Sequence, residues 1–278
     1  MSSETVAERG ASAAGLPRLP SSWDMSVRAL RAWLVMYRRT WRSSVWSSVG
    51  GPLFYLGAMG YGLGSLVDKN GTAAIGGVPY VVFVAPAVLG FQAMNTGMMN
   101  GAFPVYGGIH WNKVYVAARA TMLRPADIFR GHLLFITMRI AMNSAVFVAF
   151  MAAFGLIKSA WAILLLPAAV LLGVAFATPV AAWAVTLDTQ ISLNYLFRFG
   201  SVPLMLFSGT FFPISRLPGW LRPVAYVTPL WHGVALCRSL SLGDVTAGSA
   251  AIHLGYLAAM AAIGLWLGAR TFRRRLYV

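Results

Sequence analysis

The side chains that could perform acid–base or metal chemistry are few in this sequence and lie far apart. Four histidines stand singly along the 278 residues: His110, His132, His232 and His253. No H-E-x-x-H pair or other metal-spaced cluster occurs among them, so each is best interpreted as an interfacial or packed residue. The acidic residues beyond position 24 fall near the edges of predicted membrane segments: Asp68, Asp127, Asp188 and Asp244. The sequence therefore predicts no catalytic residue and no metal site.

Motifs for phosphate binding, for a nucleophilic serine and for cysteine chemistry are also missing from the sequence. It has no G-x-x-x-x-G-K-[ST] loop to hold phosphates, and no G-x-S-x-G elbow surrounds Ser208. The one cysteine, Cys237, excludes an internal disulfide and a thiolate metal site, and we interpret it as a small apolar residue. An ionisable group in the membrane interior, which a proton- or sodium-driven carrier needs, is not evident either. If the protein transports, its energy is expected to come from another subunit.

Composition determines which elements could position these residues. The chain is 58% hydrophobic and 10% charged, with a mean hydropathy of +0.69. Soluble domains are about 45–50% apolar and about 25% charged, so this chain has too few polar residues to cover a water-facing surface. The net charge of +15 comes from basic residues at the edges of apolar stretches, which favours orientation in a bilayer over nucleic-acid binding. We expect an all-α, multi-pass membrane protein with no nucleic-acid partner.

Stretches of about 20 apolar residues predict six membrane spans. They lie at 43–67, within 70–112, and at 133–157, 159–187, 191–215 and 245–269. The third requires Arg139 to face protein or the interface. A further apolar stretch, 223–237, is too short to cross and predicts a re-entrant or interfacial helix pair, although a distorted seventh span would place the carboxyl terminus on the other side.

Charge predicts the orientation and the division of the chain. Seventeen basic residues lie on the side of both termini and five on the other, so the positive-inside rule places both termini in the cytoplasm. The regions expected are a disordered tail (1–22), an interfacial helix (23–43), a transmembrane domain (44–269) with a coupling region (108–130) and an extracytoplasmic re-entrant region (213–240), and a basic cytoplasmic tail (270–278).

The interfacial helix is predicted from its two faces. At 100° per residue, Trp33, Tyr37 and Trp41 share one face, and five arginines from Arg28 to Arg42 share the other. Such a helix lies in the headgroup region, where its basic face suits anionic lipid. The alternative is a basic flank that merely orients the first span.

The connection between the second and third spans, residues 111–131, is predicted to be a series of short cytoplasmic helices. Pro125 ends one piece and begins the next, with Asp127 near a helix amino end. A short, basic helix with aromatic residues is what docking into a groove of another protein requires. In the second span, polar amides and methionines such as Asn95 and Met98 predict either a cavity for an amphiphile or ordinary helix packing.

Several ordered motifs resemble the permeases of type-2 ABC exporters. They are Gly51-Pro52-Leu53-Phe54-Tyr55-Leu56 with Gly60-Tyr61-Gly62-Leu63-Gly64, Tyr80-Val81-Val82-Phe83-Val84-Ala85-Pro86, the 111–131 connection, Phe207-Ser208-Gly209-Thr210-Phe211-Phe212-Pro213-Ile214 with Leu217-Pro218, Thr228-Pro229-Leu230, and Phe272-Arg273-Arg274-Arg275-Leu276. The resemblance covers residues 23–278. It is greatest to NodJ-like permeases, which export lipo-oligosaccharides (nodulation factors), and more distant to daunorubicin-type drug exporter permeases.

The resemblance implies the same six-span layout, in a bacterial cytoplasmic (inner) membrane. It implies a coupling helix within 111–130 that sits on the ATPase, and re-entrant helices within 213–240 on the outer side. It also implies two separate ABC ATPase subunits that hydrolyse MgATP, with no cofactor in this chain, and a second permease subunit, identical or homologous. Relatives commonly have an acidic residue just after the tryptophan of the connection, where this chain has Asn112.

Three sets of site residues follow from the resemblance and the layout. Those expected to couple to the ATPase are Trp111, Lys113, Arg119, Arg124 and Asp127. Those expected to line the translocation path are Met94, Asn95, Met98, Phe207 and Phe211. Those expected to form an outer gate are Phe212, Pro213, Trp220, Pro229 and Trp231.

The expected function is export of an amphiphilic substrate by alternating access. The resemblance implies a glycolipid, a lipo-oligosaccharide or a hydrophobic drug as the substrate. The alternatives are a passive channel or scaffold without ATP coupling, and a membrane-embedded enzyme such as a lipid-modifying transferase. The enzyme would need convergent acids or histidines at one membrane depth, and the sequence predicts none.

Overall fold

The computed structural model describes residues 21–58, 62, 64–69 and 77–277, and every regular element in them is helical. The helices are α1 (Ser22–Gly57), α2 (Gly64–Lys69), α3 (Tyr80–His110), α4 (Val114–Arg119), α5 (Pro125–Ala153), α6 (Leu165–Ala184), α7 (Ile191–Tyr195), α8 (Val202–Phe207), α9 (Arg222–Val227), α10 (Pro229–Leu242) and α11 (Ala247–Tyr277). Two 3-10 helices cover Ala160–Leu164 and Ile214–Arg216, and a π-helical stretch, Leu196–Ser201, joins α7 to α8. Most of the tail 1–22 and of the Gly60–Gly64 motif lies outside the described residues.

Four helices in the described part are long and apolar enough to cross a membrane. They are Tyr80–His110, Pro125–Ala153, Ala160–Ala184 and Ala247–Tyr277. A fifth apolar helix, Ile191–Phe207, is shorter, and the first predicted span lies partly outside the described residues. The structure thus confirms an all-helical chain suited to a membrane, while the number of six spans stays a prediction.

Helix α1 joins two regions that the sequence analysis separates. It runs for 36 residues without a break near residue 43, so the predicted interfacial helix and the start of the predicted first span form one helix. Its arginines are exposed, whereas Trp33 and Tyr37 pack against Phe135 of α5, with ring centroids 5.6 Å apart in both pairs. Trp33 and Tyr37 of the predicted apolar face therefore meet the bundle, whereas Trp41 is exposed like the arginines, and the position of α1 at a membrane surface stays a prediction.

Helices α3 and α6 approach each other through glycines. A Cβ atom at Gly97 would overlap the carbonyl oxygen of Gly173, and one at Gly101 would lie 2.7 Å from the carbonyl oxygen of Ala177. Small residues spaced four apart let helix backbones pack closely in a membrane. This contact makes α3 the central helix of the bundle, with most of its residues buried.

Contacts between distant segments define two ends of the bundle. At one end, which we call the basic end, the beginning of α1 meets the beginning of α5 through Ser22 and Asp127. The end of α11 meets the α6–α7 connection there through Arg275 and Asp188. At the opposite end, the Tyr80 hydroxyl at the start of α3 donates to the Phe211 carbonyl oxygen, at 3.1 Å. The basic end therefore collects both ends of the described chain.

Helix α10 has 14 residues and is about 21 Å long, which is less than the hydrocarbon core of about 30 Å. The Thr228 hydroxyl oxygen caps its first turn by accepting from the Trp231 N–H, and Gly243 ends it at a φ of 95°. Its Arg238 guanidinium donates to the carbonyl oxygens of Phe83 and Gly209, at 3.2 and 2.8 Å. These bonds hold α10 against the start of α3.

We predict that Gly97→Ala destabilises the bundle, because backbone atoms of α6 occupy the space that the new Cβ needs and no side chain can move aside. Overpacking of this kind costs about 1–3 kcal/mol. The loss should appear as a lower unfolding temperature of the purified protein in detergent.

Gly255→Ala in α11 is the matched control, since nothing lies within 4 Å of a Cβ built there. It should preserve or slightly raise stability because alanine favours a helix over glycine. Equal unfolding temperatures for the two variants would show that α3 and α6 do not approach as closely as described.

Candidate functional site

A cavity of about 600 Å³ lies along one side of α3. Its apolar wall includes Phe91, Met99 and Phe103, and its polar groups include Asn95 and Thr96. Thr210 and Phe211 line it toward the end of the bundle opposite the basic end, and Arg139 of α5 also contributes. The cavity therefore presents polar and apolar surface side by side, as an amphiphilic ligand would require.

A second cavity, of about 300 Å³, continues this surface toward the basic end. The two share four lining residues: Asn100, Phe103, Pro104 and Arg139. The second cavity also reaches Trp33 of α1, and Trp111 and Asn112 just after α3. Together they form what we call the α3 groove, which runs from Phe211 to Asn112.

Only some of the residues predicted for the translocation path line the α3 groove. Asn95 and Phe211 line the α3 groove. Met94 and Met98 are fully buried in the helix core instead, and Phe207 is exposed outside the lining of the groove. Successive residues on a helix are 100° apart, so the residue that follows Met98 can face the groove while Met98 faces the core. Met99, which the sequence analysis did not select, has that position.

Arg139 connects α5 to the groove wall. One guanidinium N–H donates to the Asn100 side-chain oxygen at 2.8 Å, and the group lies over the rings of Tyr37 and Phe135, at 5.1 and 6.0 Å. The third predicted span required Arg139 to face protein or the interface. The structure places it against protein, well inside α5.

A hydrogen-bonded series joins α4 to the same asparagine. The Tyr115 hydroxyl lies 2.7 Å from His132 Nδ1, and His132 Nε2 lies 3.1 Å from the Asn100 carbonyl oxygen. A carbonyl oxygen only accepts, so Nε2 must donate, which leaves Nδ1 of a neutral ring as the acceptor of the tyrosine proton. Asn100 thus accepts a hydrogen bond from His132 at its backbone oxygen and another from Arg139 at its side-chain oxygen. It links α4 to the groove.

The connection between α3 and α5 forms the short helix that the sequence predicts, α4, followed by α5 beginning at Pro125. Lys113 precedes α4 with a φ of 50°. Trp111, Val116 and Met122 are exposed by 53%, 47% and 73%. Buried Tyr115 holds α4 against the bundle, so these apolar side chains form an exposed surface at the basic end, which we call the α4 surface.

The residues predicted to couple to an ATPase are not equally placed. Trp111, Lys113 and Arg124 are exposed, while the Arg119 side chain lies outside the described part. Asp127 is buried near the amino end of α5, where its carboxylate accepts from the Ser22 hydroxyl at 2.6 Å and from the Arg124 backbone N–H at 3.3 Å. A buried carboxylate cannot contact a partner directly, so the structure places Asp127 as a link between α1 and α5.

The residues predicted for an outer gate lie in the segment after α8. Phe212 and Trp231 pack on the small apolar cluster of Ile214, Leu217 and Ala225. Pro213 begins the 3-10 helix and Pro229 begins α10, so both shape the backbone, whereas the Trp220 side chain is exposed. The structure brings Phe212 and Trp231 into one cluster and leaves Trp220 outside it.

Tertiary structure also joins residues that the sequence analysis considered separately. His232 of α10 and His253 of α11 place their Nδ1 atoms 2.8 Å apart, and His232 stacks on Tyr256. Both histidines are packed, as expected, but they form a pair rather than standing alone. A G-x-x-x-G motif, Gly97 to Gly101, was the signal that could have identified the α3–α6 contact.

Apolar helices of spanning length, a lateral groove and an exposed helix at the basic end are the features expected of the membrane subunit of a transporter. A model of the family described as "ABC-2 type transporter" matches residues 26–242. The chain belongs to this family, whose members are membrane components of ABC transporters and work with an ABC ATPase subunit.

Comparison with known proteins shows which transporter proteins this chain is similar to. The chain is 29% identical to Nodulation protein J of Rhizobium leguminosarum bv. trifolii over 254 residues, which are 88% of this chain and 94% of that protein. It is 27% identical to Nodulation protein J of Sinorhizobium fredii over the same shares, and 26% identical to that of Rhizobium meliloti over 91% and 99%. The NodJ-like resemblance inferred from the motifs is confirmed.

We predict that Tyr115→Phe loosens α4 from the bundle. The change leaves the buried His132 Nδ1 without its donor, which costs about 1–3 kcal/mol. Amide hydrogen exchange in 114–119 should quicken, and the unfolding temperature in detergent should fall.

Tyr277→Phe, at an exposed tyrosine near the end of α11, is the control and should change neither measurement. Unchanged exchange in Tyr115→Phe would contradict the series from α4 to Asn100.

Proposed function

We propose that this chain is the permease subunit of an ATP-driven exporter that moves an amphiphile out across the bacterial cytoplasmic membrane. The observation that carries the proposal is the α3 groove, which runs from Phe211 to the α4 surface at Trp111. Its mixed lining suits a molecule with a polar head and an apolar chain. A glycolipid, a lipo-oligosaccharide or a hydrophobic drug has this character.

The proposed arrangement has six spans, with the basic end in the cytoplasm. The positive-inside rule supports this orientation, because the basic residues counted on the side of both termini outnumber those on the other side by seventeen to five, and both ends of the described chain meet at the basic end. Helix α10 and the segment before it would then lie toward the outer side as re-entrant helices, with the Phe212–Trp231 cluster as the outer seal.

The proposed complex contains two ABC ATPase subunits and a second permease, identical or homologous. The ATPases bind and hydrolyse MgATP, and this chain supplies the path. The α4 surface supports docking, because Trp111, Val116 and Met122 are apolar and exposed beside the basic residues Lys113 and Arg124. A partner groove with an apolar floor and an acidic rim would complement it.

The Tyr115–His132–Asn100 series supports a mechanism for coupling. When ATP draws the two ATPases together, α4 would move with them, and its Tyr115 would displace His132 and then Asn100 on the groove wall. The inner part of the groove would close while the path between the two permeases opens outward. Helices α1, α3 and α7–α8 would line that path.

Co-purification tests the proposed function. The chain is expressed with the ATPase encoded beside its gene, captured in mild detergent, returned to nanodiscs and assayed for ATP hydrolysis. A stable complex with vanadate-sensitive turnover, stimulated by candidate glycolipids or drugs, is the expected result. A chain that purifies alone under these conditions, and conducts without ATP, would favour the channel or scaffold instead.

A double substitution tests the α4 surface as the docking site. Trp111→Ala with Met122→Ala should reduce the co-purified ATPase about tenfold or more, because two exposed apolar contacts are removed from one small surface. Membrane insertion and the unfolding temperature of the permease should be preserved.

Phe154→Ala is the matched control, since Phe154 is 66% exposed just past the other end of α5. That helix has 29 residues, so the control lies about 43 Å from the α4 surface. Equal ATPase recovery from both variants would place the docking site elsewhere on the chain.

A further inference from the structure

Arg139 is a cation on a membrane-length helix, and no carboxylate of the described residues lies within ion-pair distance of it. It is the fifteenth of the 29 residues of α5, about 21 Å along the helix from Pro125. The sequence has no acidic residue between Asp127 and Asp188, so α5 beyond its first turn and α6 provide none. The groups that do face the guanidinium are the Asn100 amide oxygen and the rings of Tyr37 and Phe135.

These neutral groups compensate the charge only in part. A charged group in an apolar environment is costly unless it is paired and hydrogen-bonded. A guanidinium has five N–H donors, and one of them reaches Asn100. The Nε–H is buried and has no partner within the described part of the chain. Arg139 therefore retains hydrogen-bond donors that are not used, and its positive charge has no carboxylate partner among the described residues.

Arg238 shows how an arginine with a purely structural function differs in this bundle. Its guanidinium donates to two backbone carbonyl oxygens and lies 3.8 Å from the Phe83 ring centroid, and it lines neither cavity described above. Arg139 lines both cavities of the α3 groove. Arg238 thus donates two hydrogen bonds within the fold, away from both cavities, whereas Arg139 donates one and lines a space that a ligand could enter.

The neighbours of Arg139 in the groove indicate the rest of the ligand. Asn95 and Thr96 add polar groups, and the Asn95 amide has no hydrogen-bond partner among the described residues. Phe91, Met99 and Phe103 form the apolar part of the lining. A negatively charged head at Arg139 would thus have further hydrogen-bond donors nearby, with apolar surface for an attached chain.

We propose that the α3 groove binds the anionic group of an amphiphile, a phosphate, sulfate or carboxylate, through Arg139, with its chain along Phe91, Met99 and Phe103. The inference rests on the proposed function and narrows its substrate class to molecules with a negative charge. The same chemistry occurs in a transported amphiphile and in an anionic lipid of the bilayer. The position of Arg139 well inside α5 favours the transported molecule, because bilayer headgroups remain at the interface.

Direct binding tests the site without ATP. The permease, with its ATPase where the two associate, is placed in nanodiscs of zwitterionic lipid, and binding of labelled dodecyl phosphate is compared with that of dodecyl maltoside and inorganic phosphate. Charge-assisted hydrogen bonds should make the phosphate amphiphile bind at least about tenfold more tightly than the other two probes. Equal binding of all three would overturn the proposal.

Substitutions then assign the preference to the guanidinium. Arg139→Gln removes the charge and keeps a neutral amide at this position; its unfolding temperature in detergent should stay close to that of the wild type, while the preference for dodecyl phosphate should disappear. Arg139→Lys should retain part of it, since it keeps the charge without the planar fork. Arg270→Gln is the control, because Arg270 also lies over an aromatic ring, Trp266, but is outside the groove. An unchanged preference in Arg139→Gln would overturn the assignment.

A final comparison distinguishes the two sources of the anion and the two proposals. Stimulation of ATP hydrolysis by dodecyl phosphate in the wild type, lost in Arg139→Gln, identifies a transported amphiphile. Displacement of the probe by phosphatidylglycerol in the nanodisc, without such stimulation, identifies a bilayer lipid and overturns the assignment to cargo. Arg139-dependent binding in a chain that recruits no ATPase would refute the proposed function while the anion site remains.

Discussion

The close contact of α3 with α6 is the constraint on which the rest of the bundle depends. The hydrophobic effect does not drive helices together within lipid. Close packing between backbones therefore contributes more to helix association there than it does in water. Gly97 and Gly101 of α3 supply it against Gly173 and Ala177. Because these glycines face α6, the opposite side of α3 is directed away from the core, and that side bears Asn95, Met99 and Phe103 of the groove. One glycine contact thus determines both the central position of α3 and the surface it leaves for a ligand.

Asn100 connects α4 to the wall of the α3 groove through hydrogen bonds. Its side-chain oxygen accepts from Arg139 and its backbone oxygen accepts from His132, which in turn accepts from Tyr115 of α4. Buried polar groups in a membrane protein need partners within the protein. Here that requirement produces a continuous series of hydrogen bonds from α4 to the groove wall. The same bonds that satisfy buried groups can therefore transmit a displacement of α4.

The basic end and the groove have different electrostatic functions. Most basic side chains there, such as Arg28 and Arg273, are exposed, and the Arg275–Asp188 pair is partly exposed, where such pairs contribute little to stability. Arg139 is different because its surroundings are neutral and largely apolar. The family relationship accounts for the first group through membrane orientation. It does not account for an unpaired cation in the groove, which is why that residue supports a separate inference.

The sequence by itself determined an all-helical membrane protein, the approximate positions of the long helices after residue 80 and the short helix after α3, because these follow from composition, apolar length and local rules such as proline at Pro125. The transporter family came from the resemblance of its motifs. Of the residues that the sequence predicted for a translocation path, Asn95 and Phe211 line the groove, and of those it predicted for coupling, Trp111 and Arg124 are exposed. Only the tertiary structure decided that Met98 faces the core, that Arg139 meets Asn100 and that His232 meets His253. Those outcomes depend on how each helix is rotated about its axis and which helix it packs against, and in an apolar sequence hydrophobicity differs too little between faces to specify that rotation.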